Sequence, residues 1–131
     1  ADVDVIVDAS DNFPTRFLVS DATRNRGIPV VHGSVHRFEG MVTVFDPQKG
    51  GPCLRCLHPT VPDPDLCQGC AETGVLGVLP GMVGMYQSTE VLKILAQMGD
   101  PLLGRLLTID AIGGTSREYR LNKAQNCVCN H

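Results

Sequence analysis

The chain has 131 residues, with 11 basic and 14 acidic side chains, a formal net charge of −3 and six cysteines. That length fits one domain with a real core but is short for a complete nucleotide-using α/β enzyme. The mild acidity leaves no basic stripe for nucleic acid, and no run is apolar and charge-free for long enough to span a bilayer.

Val3 to Ala9 is apolar and largely β-branched, as in a central parallel strand. A strand so near the start leads us to expect a preceding segment. The opening Ala1-Asp2-Val3-Asp4 has no secretory signature. Asp8, Ser10, Asp11 and Asn12 fall at the strand's C-terminal end, the edge where open α/β sheets bind ligands. Asn12 and Pro14 open a helix running to about Arg26, with Phe17, Leu18 and Ala22 expected to face the sheet and Gly27 to stop it. Ile28 to Ser34 is the next strand, with His32, Gly33 and Ser34 leading into a turn, and Gly40 to Phe45 is another. The link between these two is too short for a parallel crossover, so the sheet turns antiparallel here and becomes mixed.

Asp46 to Asp65 reads as a Pro- and Gly-rich loop around Cys53-Leu-Arg-Cys56, and its length marks it for function or metal support. Leu66 to Gly74 carries Cys67 and Cys70. A helix over roughly Gly81 to Gln97 follows, weakened at its start by Pro80 and glycines. Gly81, Gly84 and Ser88 share a face suited to close packing. Leu106–Ile109 and Glu118–Leu121 are the last strands, separated by Gly113-Gly114.

Each residue that invites chemistry has a plainer role beside it. Asp11 with Asn12 suits Mg²⁺ or a sugar hydroxyl, or serves only as a helix cap and turn. Asp8 is more structural in placement, and Asp110 ends a later strand. Arg16, on the first helical turn, can reach a phosphate or form a solvated face. His32 is strand-embedded, and His36 and Arg37 sit in a turn. The histidines lack hydrolase-zinc spacing, and no phosphate loop of the Gly-x-Gly-x-x-Gly or Walker type is present.

The cysteines imply a tetrahedral metal site in a reduced, cytoplasmic protein. Two ligand sets compete. A local set is Cys53, Cys56, Cys67 and Cys70, two pairs with two residues between partners and a 10-residue spacer. A long-range set is Cys53, Cys56, Cys127 and Cys129. Spacing alone favours the local one, since Cys127-Val-Cys129 is tight, although His131 is available as a substitute ligand. Either set fills all four positions and is structural rather than catalytic. A redox role for Cys67-x-x-Cys70 lacks the thioredoxin-like strand–helix setting.

Together these residues resemble a known family. Asp11-Asn12 after a strand, Thr15-Arg16, Gly33-Ser34, Phe38-x-Gly40, Cys53-x-x-Cys56, Cys70-Ala-Glu-x-Gly74-Val75-x-Gly77-Val78 and Thr89-Glu90-x-x-Lys93-x-Leu95 are similar to the ThiF/MoeB/HesA enzymes, the E1-like activators of ubiquitin-like proteins. The resemblance covers essentially the whole chain, but only the C-terminal part of a usual member. It implies a Rossmann-like, three-layer α/β fold with a mixed parallel and antiparallel sheet and a structural zinc site. It also implies ATP- and Mg²⁺-dependent adenylation of a sulfur carrier ending in Gly-Gly, for molybdopterin or thiamine synthesis, by a homodimer working in some cases with a sulfurtransferase.

By the same resemblance Asp11 falls on the catalytic metal position, with Asn12 and Arg16 beside the nucleotide, and Cys70 on a position that in some members carries sulfur or a thioester. The structural zinc falls on Cys53, Cys56, Cys127 and Cys129, which reverses the preference from spacing. The single residue between Cys127 and Cys129, where the family usually has two, is a departure. So is the absence of the glycine-rich nucleotide segment, without which this chain is expected to bind ATP weakly or not at all. The alternative is a non-catalytic, zinc-stabilised binding or dimerisation module.

Overall fold

The computed structural model describes residues 2–63 and 74–130. Its elements are β1 (Ile6–Asp8), α1 (Phe13–Thr23), β2 (Val30–His36), β3 (Glu39–Phe45), the short α2 (Leu54–Leu57), α3 (Leu79–Ala96), β4 (Arg105–Asp110) and β5 (Thr115–Arg120). The five strands form one sheet in chain order. β1 and β2 are parallel, joined by α1 as a crossover, and every later pair is antiparallel. The sheet is therefore mixed, as the short β2–β3 link requires.

Alternation along β2 and β3 sends side chains to two cores. Val31, Val42 and Val44 pack with Leu79 and Val83 of α3. Val30 and Phe45 face the other way, against Phe17 of α1 and Leu54 of α2. Helices on both faces give the three layers of a Rossmann-like α/β fold.

Several expectations shift. β2 continues through Ser34 to His36, so the turn lies at Arg37-Phe38, with Arg37 at φ 52°. Helix α1 ends at Thr23, and Leu18, expected inside, is 70% exposed. Ala22 is exposed too. The inward stripe is instead Phe17, Ser20 and Thr23, because α1 leans on α2 as well as on the sheet. Pro80 does not break α3. It sits in the first turn, where its missing N–H has no intrahelical partner to lose.

The glycines that admit close packing are also different ones. A β-carbon on Gly81 or Gly84 would meet nothing within 4 Å among the described residues, whereas one on Gly40 would overlap Val83 and one on Gly33 the Gln87 amide. Both positions are where the sheet presses on α3. Cys67, Cys70 and His131, and with them the local cysteine set and the reactive-thiol expectation, lie outside the described residues. Among the described residues, no helix is long and apolar enough to cross a membrane.

Candidate functional site

Two places gather the residues singled out by sequence. The first is the C-terminal edge of β1 and β2. Asn12 caps α1, its side-chain oxygen accepting the Thr15 N–H at 2.8 Å, and its amide nitrogen donates to Asp11 Oδ1 at 3.3 Å. Asp11 is left exposed at the rim. Arg16 reaches back from the first turn, its Nε and Nη2 donating to the Ser10 carbonyl at 3.3 and 3.0 Å, with its guanidinium 5.2 Å from the Phe13 ring centroid. Asp11 and Arg16 share a cavity of about 90 Å³ with Ser10, Ser34, Gly33 and Gln87. A carboxylate and a guanidinium at the mouth of one cavity can face a cation and a phosphate respectively.

Below this rim lies a buried charge that the sequence reading ranked as merely structural. Asp8 is 5% exposed and His32 3%. Asp8 Oδ1 accepts both the Ser10 N–H at 3.0 Å and the Ser10 hydroxyl at 2.6 Å. Asp8 Oδ2 is 3.6 Å from His32 Nδ1, too long for a hydrogen bond, and that nitrogen has no hydrogen-bond partner among the described residues. Burial acts to raise the Asp8 carboxyl, but His32 and the two Ser10 donors outweigh it and hold the group down at about 2. The ionised carboxylate thus pins Ser10, the residue before Asp11.

From the other side of the sheet, Gln87 Nε2 donates to the Asp8 and Val31 carbonyls at 3.0 and 3.3 Å. Sequence reasoning missed Gln87. The signal was a polar residue in step with Leu79 and Val83 on the inward stripe of α3. Asp110 accepts the Gly113 N–H at 2.9 Å within its own turn. His36 and Arg37 are exposed and do not line the cavity.

The second place is the cysteine cluster. Cys53, Cys56, Cys127 and Cys129 bring their sulfurs within 4.8 Å of one another. The Cys53–Cys127 and Cys56–Cys129 separations are both 3.5 Å, and Cys53–Cys56 is 4.0 Å. Four thiolates about 2.3 Å from a tetrahedral zinc ion would stand roughly 3.8 Å apart, so the donor set fits zinc. This is the long-range set, against the spacing preference.

The tight Cys127-Val-Cys129 spacing is accommodated because the chain turns as a 3₁₀ segment over Val128–Asn130, with the Asn130 N–H on the Cys127 carbonyl at 3.1 Å. The Ala124 N–H donates to Cys56 Sγ at 3.4 Å. Without a cation the four sulfurs cannot all ionise. Burial, with Cys127 beside it, pushes the Cys53 thiol up to about 11, and burial likewise pushes Cys129 up. Burial also acts upward on Cys127, but it is outweighed there by hydrogen bonds from Cys129 and the facing thiols, so that group is lowered.

Residues 1–131 match the ThiF family along their whole length. The chain belongs to the ThiF family. It is 54% identical over 121 residues to a SAMP-activating enzyme E1 of Haloferax volcanii, covering 91% of this chain and 44% of that protein. It is 46% identical over 131 residues to a sulfur carrier protein adenylyltransferase of Thermus thermophilus, covering 96% and 48% respectively. With the adenylyltransferase and sulfurtransferase MOCS3 of Mus musculus it shares 46% over 126 residues, covering 95% and 27%.

The chain therefore spans less than half the length of these ThiF-family relatives. A crystal structure of E. coli MccB with ATP superposes at a TM-score of 0.78 over 98% of this chain and 40% of that one, at 14% identity, a likeness of fold.

Proposed function

We propose that this chain is the C-terminal part of a ThiF/MoeB-like domain that adenylates the C-terminal glycine of a ubiquitin-like sulfur carrier ending in Gly-Gly. The terminal carboxylate attacks the α-phosphorus of ATP. The bond to the β,γ-phosphates breaks, giving a carrier–AMP mixed anhydride and pyrophosphate. Asp11 and Asn12 would hold the magnesium-bound nucleotide at the strand edge, and Arg16 would support the phosphate charge. Mg²⁺, when bound, would supply electrostatic stabilisation of the departing pyrophosphate. The observation that carries this reading is the Asp11–Arg16 cavity at the end of a parallel strand pair, in a chain belonging to this family.

Around that step the remaining assignments follow the family. The nucleotide loop is supplied by a segment outside this chain, and the complete enzyme is a cytoplasmic homodimer that in some pathways passes its product to a sulfurtransferase. Cys70 serves as a sulfur or thioester carrier. Cys53, Cys56, Cys127 and Cys129 hold a structural zinc ion, which would supply no open position for chemistry.

Exchange of labelled pyrophosphate into ATP, with a Gly-Gly-ended carrier and the full-length protein, tests the adenylation. We expect exchange in the wild type, a loss of about 100-fold or more in Asp11→Asn, and none from the 131-residue chain alone. Undiminished exchange in Asp11→Asn removes Asp11 from the reaction.

A second reading, a non-catalytic zinc-stabilised module, draws on the four-cysteine set being complete within this chain. It is favoured if the full-length protein binds its carrier with no exchange at all.

A further inference from the structure

The charge around the four sulfurs is unevenly distributed. Arg55, between Cys53 and Cys56, makes a two-pronged pair with Asp21 of α1, Nε to Oδ1 at 2.9 Å and Nη2 to Oδ2 at 2.8 Å. Its guanidinium also lies 4.7 Å from the Phe17 ring centroid. Asp21 is claimed a second time by Arg24, whose Nη1 stands 3.1 Å from Oδ1. Two guanidiniums share one carboxylate, which leaves one positive charge over. The Arg24 Nε is buried with no hydrogen-bond partner among the described residues.

These three side chains line one crevice of about 290 Å³, and Cys127 and Val128 form part of its wall. Arg55 lies two residues from Cys53 in the same turn, and it shares the crevice with Cys127. A divalent ion with four thiolates (+2 and four charges of −1) leaves two negative charges on a buried group. Buried charge of that kind requires hydrogen-bond donors or a counter-charge. The Ala124 N–H is one such donor.

We infer that Arg55, sharing Asp21 with Arg24, is the charge-compensating residue of the four-cysteine metal site, a positioning residue that acts through Cys53 and Cys127. The inference rests on the zinc reading of the cluster. A plain peg between the cysteine turn and α1 would use the same Arg55–Asp21 pair, but the two roles separate on mutation. If Arg55 is only a peg, Arg55→Met and Asp21→Asn break the same pair and weaken metal binding alike. If its charge serves the metal, Asp21→Asn leaves both guanidiniums facing the sulfurs and does not weaken metal binding, even where it lowers the melting temperature of the metal-free chain.

The test uses the full-length protein. Zinc content of the wild type is measured first. Zn²⁺ affinity is then read by competition with a chromophoric chelator, and the sulfur-to-cobalt charge-transfer band of the Co²⁺ form verifies four-thiolate ligation. We expect Arg55→Met to weaken Zn²⁺ binding by about tenfold or more, Arg55→Lys to restore most of it, and Asp21→Asn to leave it unchanged or tighter. Should Arg55→Met fail to fold, Arg24→Met removes the surplus charge without touching the cysteine turn and is expected to weaken binding about threefold. Equal losses in Arg55→Met and Asp21→Asn, or none in Arg55→Met or Arg24→Met, overturn the inference while leaving the zinc reading intact. A wild type that takes up no metal overturns both.

Discussion

The strand edge and the cysteine cluster are both candidate sites, but they are held together by different means. At the strand edge, Asp8, Ser10, Asp11, Asn12 and Arg16 are neighbours in sequence, fixed by a helix cap, a turn and backbone carbonyls. Nothing there needs a ligand to bring the residues together. In the cluster, Cys53 meets Cys127 across 74 positions, and three buried thiols with the half-buried Cys56 crowd into a space that suits a cation better than four protons. A site of near neighbours is shaped by local hydrogen bonds. A site of distant residues depends on the fold that delivers them.

The sharpest way to break this contrast is to remove one remote ligand. Cys127→Ser should lose zinc and destabilise the chain by on the order of 4 kcal/mol or more in the metal-loaded form, while Cys67→Ser keeps both metal and stability. Elemental analysis with chemical denaturation of the two variants decides it, and zinc lost only from Cys67→Ser would return the site to the local set.

Next in size is Gly33→Ala. The new methyl displaces the Gln87 amide from the Asp8 and Val31 carbonyls, at a cost of roughly 2–3 kcal/mol. Urea melts that match the wild type would mean that Gln87 is not needed to brace the strand edge.

Asp8→Asn should cost about 2 kcal/mol at neutral pH, and the loss should depend on pH in one direction. The folded-state carboxyl lies below its usual 3.8, at about 2. Its stabilisation is therefore complete above about pH 4 and lost as pH falls toward 2. The stability curves of wild type and variant should converge at the acid end, and a constant gap down to pH 2 would contradict the ionised, paired carboxylate. The smallest effect belongs to Asn12→Ala, about 1 kcal/mol for a lost cap, seen as a small shift in the thermal midpoint that metal loading leaves unchanged.

The mixed sheet was legible because a strand, a helix and two closely linked strands leave few arrangements open. Which sulfurs meet among the described residues was not legible from spacing, which favoured the nearer pair over Cys127 and Cys129. Resemblance to the family pointed to Cys127 and Cys129, and the packing of residues 124–130 against the cysteine turn brings these two beside Cys53 and Cys56.

What the sequence determined by itself was local: that a strand, a helix and two closely linked strands follow one another, which asparagine caps α1, and that Asp11 and Arg16 flank the end of the first strand. Only the tertiary structure decided which sulfurs meet, that Asp8 is buried against His32, and that Gln87 reaches through the space left by Gly33. Local geometry follows from bonds between near neighbours, which the order of residues specifies. Contacts between distant residues follow from how whole elements pack, which no single stretch contains.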